Sequence, residues 1–127
     1  AYLNLLAQEE TDPTLLDAGL GIEPAELVDR LVATERLVGK PLPKKFEEDL
    51  ARKHRFYTGT LLFGSDNSPA LEYNELQFTE NYKVGYDHLL NKYPSSEAAR
   101  LVREWQEIIR TKESGKIEEW RRIYRPY

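Results

Sequence analysis

"SSEAARLVREWQEIIRTK", residues 95–112, has the clearest period in the chain and decides the fold class. Ala98, Leu101, Val102, Trp105, Ile108 and Ile109 recur at helical spacing and gather on one face, while Glu97, Arg100, Arg103, Glu104, Glu107 and Arg110 fill the rest. Ser95 or Ser96 caps this helix, and its broad apolar stripe makes it a core member. Upstream, Pro94 closes another helix predicted over residues 80–92, with Tyr82, Tyr86, Leu89, Leu90 and Tyr93 on one stripe and Thr79 as cap. Alternation of Leu76, Phe78, Tyr82, Val84 and Tyr86 would suit a strand, but the helical template fits better, even though Gly85 costs it about 1 kcal/mol relative to alanine. Downstream, "ESG" breaks the pattern. "KIEEWRRIYRPY", residues 116–127, then forms a short last helix with Ile117, Trp120, Ile123 and Tyr124 on one side until Pro126 halts it.

The first half follows the same logic. "IEPAELVDRLVATERLVG" opens on Pro24, carries Leu27, Val28, Leu31, Val32, Leu37 and Val38 on a wide apolar face, and stops at Gly39. After "KPLP", a helix is predicted from Lys44 to about Tyr57, with Phe46, Leu50, His54 and Tyr57 in line. Residues 2–10 hold enough leucine for one or two helical turns, and Asp12 with Pro13 starts a further short helical piece that Gly19 and Gly21 end. Residues 57–78, with Gly59, Gly64 and the turn cluster "GSDNSP", are the least helical stretch and read as irregular or as a β-hairpin. The expected fold is therefore all-α: a single domain, 1–127, of five to six helices with a short irregular or hairpin insert near 57–78. Residues 1–22 read as a loosely packed acidic segment and residues 116–127 as a docking helix.

With 127 residues, 40% apolar and 31% charged, the chain suits one compact domain with a charged surface. Cysteine is absent, so disulfides, a thiolate nucleophile and cysteine-held zinc are excluded. No apolar run reaches the roughly 18 residues of a membrane span, and "AYLNLLAQEE" does not read as a signal peptide, so a cytoplasmic location without membrane partners is expected. Charge is uneven: residues 1–35 carry eight acids and one base, Arg30, whereas residues 36–127 carry 17 bases and 14 acids. Such a split allows head-to-tail association into a homo-oligomer, although opposite charges within one domain more commonly neutralise each other.

Two stretches resemble known families. "LLDAGLGIEPAELVDRLVATERLVGKPLP" looks like the middle of an acyl or peptidyl carrier protein, in which a serine after an Asp-x-Gly-Leu turn carries phosphopantetheine. Ile22 stands at that place and the first serine in the chain is Ser65, so the hydroxyl for the phosphodiester is absent. "YDHLLNKYPSSEAARLVREWQEI" is similar to the helix, Tyr-Pro turn and helix of tetratricopeptide-like pairs, which hold peptides or partner subunits. The segment 34 residues earlier does not repeat the pattern, so the resemblance implies a single helical hairpin and no array.

Catalytic and cofactor signatures are missing. Glu47, Glu48, Asp49 and His54, or Asp87 and His88, lack the three- or four-residue carboxylate–histidine spacing that aims two helical ligands at one metal ion. His54 reads as an edge-of-core histidine with a hydrogen-bond partner and His88 as a surface residue. "GSDNSP" lacks a nucleophile elbow, with Asp66 and Asn67 read as bonding their own backbone, and "GLGIEP" lacks the third glycine of a phosphate loop. No catalytic residue, metal or cofactor is assigned.

The terminus is different. Trp, Tyr and Arg dominate interface energetics because they combine contact area with a polar handle, which makes Trp120, Arg121, Arg122, Tyr124, Arg125 and Tyr127 the candidate binding residues. A helix this short does not hold together alone in water and must dock on its own domain or on a partner. The expected role is a non-catalytic protein–protein interaction module, such as an adaptor, a regulatory protein or a small accessory subunit of a larger complex. One alternative is a nucleic-acid-associated regulator using the basic C-terminal third, where residues from Arg100 onward hold eight bases and five acids, with Lys116 and the arginines on phosphates. Another is a small enzyme with a carboxylate site among Glu47, Glu48, Asp49 and Asp87.

Overall fold

In a computed structural model, residues 2–16, 19–72 and 77–125 are described. They form helix α1 (Tyr2–Thr11), a minimal antiparallel pair β1 (Leu15–Leu16) and β2 (Gly19–Leu20), and helices α2 (Pro24–Leu37) and α3 (Lys44–Phe63). A second pair, β3 (Gly64–Ser65) and β4 (Ser68–Pro69), leads to α4 (Glu80–Lys92), α5 (Glu97–Thr111) and α6 (Ser114–Tyr124). The chain is all-α, as its periodicity predicts.

Helix α2 is the hub. Pro24 pre-sets its first turn, Leu27, Val28, Leu31 and Val32 vanish into the core, and Gly39 takes the left-handed conformation (φ +87°) just beyond its end. Helix α4 lies against it with Gly85 facing Pro24, where a Cβ would come within 2.6 Å of the proline Cβ. The glycine that weakens α4 locally is what allows the two backbones to approach. Helix α5 begins as expected, with Ser96 Oγ accepting from Ala99 N (3.0 Å); the Glu35 carboxylate of α2 takes the amides of Glu97 and Ala98 (3.2 and 2.8 Å).

Four local expectations give way, while a fifth, the hairpin insert, holds. Helix α3 does not stop near Tyr57 but runs through Gly59 to Phe63, because the four carbonyls of its last turn all find donors. Gly64 N donates to Thr60 O, Tyr86 Oη to Leu61 O (2.8 Å), Trp105 Nε1 to Leu62 O (2.9 Å) and Ala70 N to Phe63 O (3.1 Å). The hairpin expected within 57–78 is present, its strands at 64–69 with Gly64 at φ +75°, where any Cβ would meet Ser68 O at 2.3 Å, and an isolated antiparallel bridge joins Leu71 to Phe78 beyond it. The helix expected from Asp12 and Pro13 is replaced by the β1–β2 pair, since Glu9 draws the Thr14 amide and hydroxyl back onto α1 (2.7 and 2.8 Å). Thr79 does not cap α4 with its side chain; its hydroxyl turns towards the carbonyls of Pro69 and Ala70 (3.3 and 3.4 Å). Between α5 and α6 the break falls at Lys112 (φ +55°), and Gly115 of "ESG" lies inside α6.

Candidate functional site

Helix α6 is fastened by its inner edge. Ile117 and Trp120 are buried, and the Trp120 indole stacks on Trp105 of α5 (centroids 5.5 Å apart, planes 13° apart). The Tyr124 ring meets Trp120 at 4.9 Å with the planes tilted by 49°, and the Arg121 guanidinium lies over the Phe63 ring at 5.8 Å. Phe63 in turn meets Trp105 edge-on at 5.0 Å. Stacked and edge-to-face rings at these distances add to the area term, so a helix too short to stand alone is held by aromatic contact. Trp120 is 9% exposed.

The outer edge is unclaimed. Ile123 is 52% exposed, an isolated large apolar side chain among Arg121, Arg122 and Arg125. Arg121 reaches Glu118 at 4.0 Å, but among the described residues no carboxylate pairs with Arg122 or Arg125. Basic side chains in a last helical turn also complement the macrodipole, a purely structural role. The residues named from sequence thus divide: Trp120 faces the core, Tyr124 is half-buried against it, Arg121, Arg122 and Arg125 face outward, and Tyr127 lies outside the described residues.

Two polar clusters escape a motif search. The larger centres on Arg30, 1% exposed, which donates to Glu9 Oε2 (2.9 Å), Thr14 Oγ1 (3.2 Å) and Gln8 O (3.3 Å); Tyr57 Oη donates to the same Glu9 oxygen (2.7 Å). Burial alone would raise the Glu9 carboxyl, but hydrogen bonds from Thr14 and Tyr57 and the Arg30 charge outweigh it and hold it below the usual carboxylate range. Arg30 Nε stands 3.5 Å from Glu26 without a hydrogen bond, and the remaining bonds make this a clamp joining α1, α2 and α3. Its trace in the sequence is an arginine between Leu27 and Thr34 on the buried stripe of α2, the sole base in residues 1–35.

The smaller cluster joins α2 to α4. Asp29 Oδ1 accepts from His88 Nε2 and Tyr93 Oη (both 2.8 Å), with Lys92 at 3.7 Å. His88 is therefore half-buried and bonded, not the free surface residue its neighbours suggested, because α4 lies along α2. Beside it, Arg36 and Lys92 each stand 5.3 Å from the centre of the Tyr93 ring, at a polar cleft of about 410 Å³ that also includes Glu35, Ser95 and Ser96. His54, conversely, is half-buried without a hydrogen-bond partner among the described residues.

The acids considered for a carboxylate site are not gathered. Asp49 accepts from Tyr2 Oη and pairs with Lys53 (3.2 Å), whereas Glu47, Glu48 and Asp87 are exposed, and among the described residues no hydrogen bond or ion pair joins any two of the four. An apolar cleft of about 320 Å³ at the α2–α3 connection, lined by Leu37, Val38, Leu42 and Leu50, has Glu47 at its rim. Among the described residues no three His, Asp or Glu side chains converge as a metal would require, and no helix is long and apolar enough to cross a membrane.

Set against known protein families, characterised proteins and solved structures, the chain matches none. Its class is defined by its own coordinates, an all-α domain with a C-terminal helix pinned by stacked indoles.

Proposed function

We propose that this protein is a non-catalytic protein–protein interaction module, an adaptor, regulatory protein or small accessory subunit, that meets its partner through the outer face of α6. The observation that carries this reading is the division of that helix: Trp120 and Ile117 hold it to the core, and half-exposed Ile123 lies near Arg122 and Arg125, which have no carboxylate partner among the described residues. An exposed apolar residue on a docked helix, with arginines next to it in the chain, has the composition of an interface anchor. A nucleic-acid role receives less support, because stacking on bases would need the Trp120 ring, which is buried and already stacked on Trp105.

A photo-crosslinking amino acid at position 123, in the full chain expressed in its own host, tests the reading. One dominant protein adduct, lost with Arg122→Glu/Arg125→Glu while the circular dichroism spectrum is unchanged, is the expected result. Adducts to nucleic acid, with retention on RNA or DNA falling steeply as salt rises, would replace it with the nucleic-acid alternative. No adduct at all would remove α6 as a recognition surface.

A further inference from the structure

The described ion pairs leave two regions of opposite charge. At one end, the close of α1, the link to α2 and its first turn present Glu10, Asp12 and Glu23 exposed, and none of the three is in an ion pair. The only base of the first 35 residues cannot offset them at the surface, since Arg30 is buried and commits its donors to Glu9, Thr14 and Gln8. At the end of α6, Arg122 and Arg125 have no ion pair among the described residues and lie close in the chain to exposed Ile123. Lys40, Lys44 and Lys45 form another basic run without ion pairs among the described residues, beside Val38 at 57% exposed, but Glu47 and Glu48 follow within a turn and leave residues 40–48 one positive charge, against two for residues 116–125 with Glu118 and Glu119 counted. Among the described residues no ion pair connects acids of residues 1–35 with bases of α6 inside one molecule.

We infer that the occupant of the α6 face is the acidic end of a second copy of this chain, in a head-to-tail contact. The inference rests on the reading of α6 as a recognition surface and names its partner. Complementary charge steers and orders such an encounter, and Ile123 supplies an apolar seat at its centre. Because the two patches are different surfaces, the contact is heterologous and propagates into rings or open chains instead of closing as a two-fold dimer. Screening sets its range: about 0.05 M salt should favour association, while about 1 M, with a Debye length near 3 Å, should dissolve it.

Sedimentation velocity over a concentration series tests this with two charge-reversed chains, Arg122→Glu/Arg125→Glu and Glu10→Lys/Asp12→Lys/Glu23→Lys. The wild-type chain should self-associate at low salt, each variant alone should weaken that at least tenfold, and an equimolar mixture of the two should restore it. Restoration by mixing is an outcome that misfolding of either variant cannot produce. A wild-type chain that stays monomeric, association indifferent to the reversals, or a mixture that fails to assemble overturns the inference. If the chain is monomeric while position 123 still crosslinks to a different protein, self-recognition falls and the α6 reading stands; if the crosslink is also lost, both fall.

Discussion

The two terminal helices are fastened to the same bundle by opposite chemistry. Helix α1 is tied by a buried polar clamp that bonds Arg30, Glu9, Thr14 and Tyr57 to one another, and α6 by the Trp120 ring, stacked on Trp105 and tilted against Tyr124. A buried charge cluster depends on completeness, since any missing member leaves a desolvated partner behind. An aromatic stack degrades in proportion to the contact removed, with no penalty for an orphaned charge. One end should therefore fail abruptly and respond to pH, the other gradually and without regard to pH.

The most damaging single change is expected to be Arg30→Ala, which strands Glu9 and should lower the unfolding free energy in urea by about 4 kcal/mol. Trp120→Ala should come next at about 3 kcal/mol, with α6 alone losing protection in hydrogen exchange while the bundle keeps its own. If removing Trp120 instead melts all six helices together, the two ends are not separable and the comparison breaks.

Acid sharpens it further. Glu9 has a lowered folded-state pKa, so its contribution is fully present above the ordinary carboxylate range and is lost as pH falls through the folded value. Asp29 and Asp49 are lowered too, Asp29 by bonds from His88 and Tyr93 that outweigh its burial and Asp49 chiefly by the Tyr2 hydroxyl, so all three act with the same sign. The wild type and Trp120→Ala should lose equal stability between neutral pH and about pH 3, whereas Glu9→Gln, weaker at neutral pH, should show a shallower slope. A pH dependence that changed with Trp120 would contradict the division. The smallest effect belongs to Tyr124→Ala, about 1 kcal/mol, because that ring is only half-buried and meets Trp120 at a tilt.

These ends also differ in how readable they were. The aromatic tie was half visible, since Trp105 and Trp120 both fall on apolar stripes, although whether Trp120 would meet its own core or a partner's was open. The polar clamp was hidden, because nothing local says that Glu9, 21 residues from Arg30 and 48 from Tyr57, will meet them. The end of α3 shows the same limit. Gly59 and Gly64 read as a break, yet donors from α4 and α5 continue the helix four residues beyond the first of them. For the candidate site, sequence supplied the residue types and structure supplied the division between Trp120 inside and Arg122, Ile123 and Arg125 outside.

By itself the sequence determined that the chain is helical, where α2, α4 and α5 lie, and that cysteine chemistry is out of reach, because period, caps and composition act over a few residues. Only the tertiary structure decided where α3 ends, that Arg30 is buried, and which side of α6 remains open. Those outcomes depend on donors, acceptors and rings brought together from distant positions, whose desolvation is settled by packing and not by neighbours in the chain.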